Sequence, residues 1–191
     1  MGECRVLRFQ SPDATNRLTR FCVHALTEQL DQWSAARQPA PLVLTGNDRF
    51  FSAGADLREI AELDGPGALE FSQAGQRLMQ ALDEFPAPVY AAITGYCMGG
   101  GLDLALACHR RIAAPHALFG HRGAALGLIT GWGGTQRLPR LIGKGRTLEM
   151  LIAAEKLTAM RALQMGLVDA IADDPVAEAM HQIRSCLDRG A

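Results

Sequence analysis

The sequence lacks an excess of charge of either sign. Its 191 residues carry 19 Lys and Arg against 20 Asp and Glu, a formal net charge of −1, which gives no electrostatic case for a nucleic-acid or anionic-membrane partner. It lacks a long apolar run as well. The longest apolar stretches are broken by Gly, Asp, Arg or Pro, well short of the roughly 20 residues a membrane-spanning helix needs. No secretory signal is readable where charges interleave with Val6-Leu7-Arg8-Phe9. Met1-Gly2 alone is poor evidence for myristoylation, since Val6 stands where Ser or Thr is expected. The cysteines at 4, 22, 97, 108 and 186 are odd in number, and none stand at Cys-x-x-Cys spacing. That argues against a zinc site or a disulfide framework. Small buried thiols in a reducing cytoplasm are the expectation, with no metal. Internal repeats, low-complexity tracts and linkers are also missing.

What is present reads as an α/β chain. Its length suits one domain with a substantial core. Short apolar strands are expected over 6–10, 41–46, 89–93, 111–114 and 167–171. Apolar residues at 3–4 spacing predict helices over 19–36, 68–85, 102–108, 147–154, 159–165 and 175–187. A helix starts near Asp56, and Asp64-Gly65-Pro66-Gly67 reads as a turn. Thr135 is a candidate helix cap and Gly166 a C-cap. Strands alternating with helices imply largely parallel pairing. The expected division is a core over 1–172 and a C-terminal helix over 173–191.

Two loops carry chemistry. Thr94-Gly95-Tyr96-Cys97-Met98-Gly99-Gly100-Gly101-Leu102-Asp103 joins an apolar strand to an apolar helix. Such a turn leaves bare N–H groups at a helix N-terminus, where they bind anions or developing negative charge. Phe51-Ser52-Ala53-Gly54-Ala55-Asp56 has a similar character. Ligand sites in α/β folds gather at such strand ends.

In order along the chain, Phe50 to Leu57, Pro88 to Gly101, Ala117-Leu118-Phe119-Gly120, Leu126-Gly127-Leu128, Gly133 to Gly143 and Ala162 to Val168 resemble the crotonase (enoyl-CoA hydratase/isomerase) superfamily. The resemblance implies a crotonase-like ββα spiral core, here with a shortened or missing C-terminal helical region. It implies an acyl-CoA thioester as substrate, with coenzyme A part of that substrate and no separate cofactor. It also implies a homo-oligomer, trimer or hexamer. By position, the backbone N–H groups of Ala55 and Gly100 form an oxyanion hole, each such donor being worth roughly 3–4 kcal/mol at a transition state. Ala53, Asp56, Leu57 and Gly99 fall at substrate- and CoA-binding positions.

The chain departs from that pattern at the acid/base groups. A hydratase of the family uses two glutamates converging on one substrate face. Asp103 stands at the first position, one methylene shorter, and Gly123 stands at the second. Asp103 is a candidate base or nucleophile. His121 is either a substitute acid/base group or a surface or interface histidine. Arg122 is suited to hold a carboxylate-bearing acyl group or another anion. The 1,4-dihydroxy-2-naphthoyl-CoA synthases also carry glycine for this glutamate, but Thr130-Gly131 stands here where they carry an aspartate. His109-Arg110-Arg111 reads as a solvated helix end. Lys144 and Arg146 would meet CoA phosphates or solvent, and Gly143-Lys144-Gly145 is not a P-loop. The expected function is enoyl-CoA hydratase/isomerase-like, with Asp103 moving the proton and His121 a candidate to assist it. The alternative is a catalytically impaired acyl-CoA-binding homologue or subunit.

Overall fold

The computed structural model describes residues 4–189. β1 (Arg5–Arg8), β2 (Arg17–Leu18) and α1 (Arg20–Ser34) lead to β3 (Leu42–Thr45), β4 (Phe50–Ser52) and β5 (Gly54–Ala55). α2 (Leu57–Ala61), α3 (Gly65–Asp83), β6 (Val89–Ile93), β7 (Tyr96–Met98) and α4 (Gly100–Ala107) follow, then β8 (Arg110–Ala113) and β9 (Leu118–Gly120). A 3-10 turn over Gly123–Leu126 precedes α5 (Gly134–Ile142), α6 (Lys144–Ala153), β10 (Leu157–Thr158), α7 (Ala159–Met165), β11 (Ala170–Ile171) and α8 (Pro175–Arg189).

β3, β6 and β8 lie side by side in an all-parallel sheet of order β1-β3-β6-β8-β11. The strand after each of them, β4, β7 and β9 in turn, enters a second sheet of order β10-β9-β7-β4, parallel except where β10 meets β9. β2 and β5 pair in a short parallel ribbon. The repeated step of strand, strand and helix is the ββα spiral that the resemblance implied. Because both faces of the first sheet are covered, β3 and β6 are buried at every residue. Leu42, Leu44, Val89, Ala91 and Ile93 point into the main core with α1, α3 and α4. Val43, Tyr90, Ala92 and Ile112 form a second cluster with Ala179 and Ile183 of α8. Among the described residues no helix is long and apolar enough to cross a membrane.

Several expectations change. The Asp64–Gly67 segment is a helix start rather than a free turn: Asp64 caps α3 by accepting from the Gly67 N–H at 2.8 Å, with Pro66 in the first turn. α5 is capped by Gly133, and Thr135 lies inside the helix. The two glycine-bearing loops hold strands β4, β5 and β7, too short for a periodicity signal. Only Ala170–Ile171 of the 167–171 run pairs, because Arg111 takes the Leu167 carbonyl at 2.9 Å instead. Arg111 is no solvated helix end. It is 5% exposed and bridges Cys108 O, Leu167 O and Asp169 Oδ2. Of the cysteines, only Cys97 and Cys108 are buried, and Cys186 is exposed. Burial pushes the Cys108 thiol up to about 12.

Candidate active site

The site begins with α4. Its residues 101–107 are all buried, and Asp103 is its one charged side chain. A carboxylate 2% exposed must be paired to be tolerated. Two side chains from later in the chain meet it. His121 follows β9 directly and places Nε2 3.1 Å from Asp103 Oδ1. Thr130 donates its hydroxyl to Asp103 Oδ2 at 2.6 Å. His121 is itself 4% exposed. The pair is packed so closely that a Cβ on Gly134 would collide with Asp103 Oδ1.

Each glycine of the triplet has its own reason. Gly99 takes φ +51° as the N-cap of α4 and donates its N–H to Gly120 O at 2.9 Å. At Gly100 a Cβ would lie 2.5 Å from the Trp132 ring and 3.2 Å from Ala55 N. At Gly101 a Cβ would lie 2.6 Å from Ser52 Cβ. The triplet thus lets α4 start flush against both β4 and the indole. As the first residue of α4, Gly100 has an N–H with no partner inside the helix. The two loops meet here: a Cβ on Gly54 would come within 3.0 Å of Gly100 N. Hydrogen bonds hold the 53–56 loop, from Ala53 N to Thr15 O at 2.9 Å and from Gly54 N to Ser52 Oγ at 3.1 Å.

All of this borders one open cavity of about 660 Å³. Ala53, Ala55, Leu57, Gly99 and Gly100 line it, together with Asp103 and His121. Asp56 does not. Its carboxylate caps α2 through the Arg58 N–H at 2.9 Å, which holds it below the usual carboxylate range, and it pairs with Arg58 and Arg17. Arg122 lines the cavity, while Lys144 and Arg146 are exposed away from it. His24, His116 and His181 are exposed. His109, also exposed, accepts from the Val89 N–H at its Nδ1.

Gly123 is more than a missing carboxylate. A Cβ there would lie 2.7 Å from the Leu128 carbonyl oxygen, and the Leu128 N–H closes back on Gly123 O at 2.9 Å. The turn is built around the absence of a side chain.

Sequence reasoning missed Trp132, whose indole donates to Phe71 O at 3.2 Å and forms the cavity wall beside Gly100. The available signal was Gly75, unfavourable inside a long helix by about 1 kcal/mol; a Cβ there would overlap the indole. Lys156 was missed too. It lines the cavity with its ammonium 4.8 Å from the Tyr96 ring centre.

Comparison with known proteins bears on the family and the fold. The enoyl-CoA hydratase/isomerase family profile matches residues 3–191. The chain belongs to that family. A Bacillus subtilis protein named "Probable enoyl-CoA hydratase" is 41% identical over 170 residues, covering 88% of this chain and 66% of its own length. The 2,3-dehydroadipyl-CoA hydratase of Escherichia coli is 37% identical over 185 residues, covering 96% of this chain and 72% of its own. The chain therefore spans about two thirds of the length of these curated relatives. Among solved structures, Pseudomonas aeruginosa DspI superposes with a TM-score of 0.89 at 36% identity, over 94% of this chain and 75% of DspI. The crotonase fold is thereby established.

Proposed function

We propose that this chain binds an acyl-CoA thioester and carries out enoyl-CoA hydratase/isomerase-type chemistry, stabilising an enolate or oxyanion. The observation that carries the reading is the meeting of the Ala55 and Gly100 backbone at the wall of a cavity that Asp103 and His121 also line. Ala55 and Gly100 donate to the thioester oxygen as negative charge develops there. Asp103 and His121 handle the proton at the adjacent carbon. Ala53, Leu57 and Gly99 bound the groove for the CoA portion, and Asp56 serves it indirectly by capping α2. Coenzyme A enters as part of the substrate, and the chemistry uses no other cofactor. The oligomer is a trimer or hexamer of this chain.

The test is a panel of short enoyl-, 3-hydroxyacyl- and malonyl-type CoA thioesters, with calorimetry beside turnover. Turnover of at least one, lost in Asp103→Ala, is the expected result. Equal inertness of wild type and Asp103→Ala would end the catalytic reading.

A second reading has a specific observation behind it. The closed turn at Gly123 leaves no room for the second glutamate of a hydratase. A binding homologue without turnover fits that geometry, and calorimetric binding with no conversion of any thioester would select it. Absence of binding would defeat both.

A further inference from the structure

Asp103 has no oxygen to spare. One oxygen faces His121 Nε2 at 3.1 Å and the other accepts from the Thr130 hydroxyl at 2.6 Å, and the side chain is almost wholly enclosed. A carboxylate engaged on both oxygens is held in one orientation. It is well placed to orient an imidazole, as the buried aspartate of a catalytic triad does. His121 has a free end. Its Nδ1 makes no hydrogen bond to a described residue, yet Arg137 Nε is the only buried side-chain polar atom among the described residues that lacks a partner. Nδ1 is therefore not sealed inside the protein, and His121 is one of the residues that line the cavity. The other ionisable side chains on that cavity wall are Arg122, Lys156 and Tyr96. None of these makes a hydrogen bond or ion pair to His121 among the described residues.

Resting on the thioester reading above, we infer that His121 is the proton carrier through Nδ1, and that Asp103 and Thr130 are its positioning residues. Asp103 accepts from Nε2–H and so fixes the tautomer, which leaves the Nδ1 lone pair on the cavity side. Thr130 fixes Asp103 in turn. In the step, Nδ1 takes a proton from the carbon beside the thioester carbonyl. The C–H electron pair becomes the carbon–carbon π bond, and the carbonyl pair moves onto oxygen beneath the Ala55 and Gly100 N–H groups. The proton returns from Nδ1 to the same carbon, or to the γ-carbon when a β,γ double bond is present, and the carbonyl re-forms. One carrier suffices, which agrees with a turn that admits no second carboxylate.

Two measurements test this. In the free ¹⁵N-labelled protein, long-range ¹H–¹⁵N spectra should show His121 protonated on Nε2 and bare on Nδ1. The pattern should persist in Thr130→Ser and become a mixture of tautomers in Thr130→Val. A bare Nε2 in the wild type would overturn the proposal without touching the thioester reading. In D₂O, but-3-enoyl-CoA should exchange or shift its α-protons. His121→Ala should slow this about 10²–10⁴-fold, in the range of general acid–base groups, at nearly unchanged KM, with recovery on adding free imidazole. Thr130→Val should lower kcat, and Thr130→Ser should restore it. Wild-type exchange in His121→Ala, or thioester binding by the wild type with no exchange, would each overturn the assignment. Failure of the wild type to bind any thioester by calorimetry would instead fall on the functional reading, and the nitrogen spectra would still decide the geometry.

Discussion

The wall of the cavity made by Ala55 and Gly100 presents backbone, whereas the wall made by residues 121–132 presents side chains. The backbone wall is held by regular structure: β2 pairs with β5, β4 with β7, and α4 starts where the loops meet. The side-chain wall comes from a 3-10 turn and its flanking loops, and exposes Leu126, Leu128 and Ile129, the last at 75%. One wall is suited to recognising a group common to all substrates, the thioester carbonyl. In the proposed function the other sets which proton moves and what the acyl chain meets, and here it departs from the two-glutamate pattern. On that proposal binding and reaction type are carried by different kinds of structure and can change independently.

The largest expected effect comes where the two walls touch. Trp132→Ala removes the indole packed against Gly75 and Gly100, and loss of a buried tryptophan should cost about 3–5 kcal/mol, measured by denaturant unfolding. A loss below about 1 kcal/mol would mean that the walls do not depend on one another. Gly100→Ala should act on the backbone wall at the point where it meets the indole. Its Cβ meets the Trp132 ring at 2.5 Å and approaches Ala55 N at 3.2 Å, so the start of α4 must shift and carry the retained N–H of residue 100 off its aim, and turnover or α-proton exchange should fall by up to about 10²–10³-fold, the effect of losing one oxyanion donor. Gly123→Glu probes the other wall. It should confer no hydration, and should destabilise by about 1–3 kcal/mol as an overpacked site because its Cβ meets the Leu128 carbonyl at 2.7 Å. Gained hydratase activity with an unchanged melting temperature would show that the turn is adaptable.

The smallest effect lies in the turn that feeds β2. Hydrogen bonds from the Ser11 hydroxyl, the Thr15 N–H and the Thr15 hydroxyl hold the Asp13 carboxyl down to about 2, against an ordinary 3.8. A depressed carboxyl stabilises fully above its unfolded value and loses that contribution as pH falls toward the folded one. The Ser11 and Thr15 amide signals should therefore titrate with a midpoint near 2. A midpoint near 3.8 would show that the turn does not hold the carboxyl in solution.

Legibility in the sequence followed the same division. The strand 89–93, the helix 159–165 and the glycine triplet could be read because local composition determines them: a fully buried strand is a plain apolar run, and Gly166 ends its helix at φ +81°. Strands β4, β5 and β7 were invisible, being two or three residues long and formed by pairing across the chain. Asp103 and His121 were legible as candidates. Their contact was not, since 18 residues and a change of sheet separate them. The role of Thr130 could not be read at all, because a threonine in a loop gives no sign of the carboxylate it will cap. Arg111 was misread for a related reason: its partner Asp169 lies 58 residues on.

The most direct measurement is infrared difference spectroscopy of an acyl-CoA carrying ¹³C at the thioester carbonyl, bound to wild type and to Gly100→Ala. Two N–H donors at Ala55 and Gly100 should polarise the carbonyl, moving its stretch to lower frequency in the wild type and back toward the free value in the variant. A bound thioester whose carbonyl frequency equals that in water, in both proteins, would contradict the oxyanion hole on which the functional reading stands.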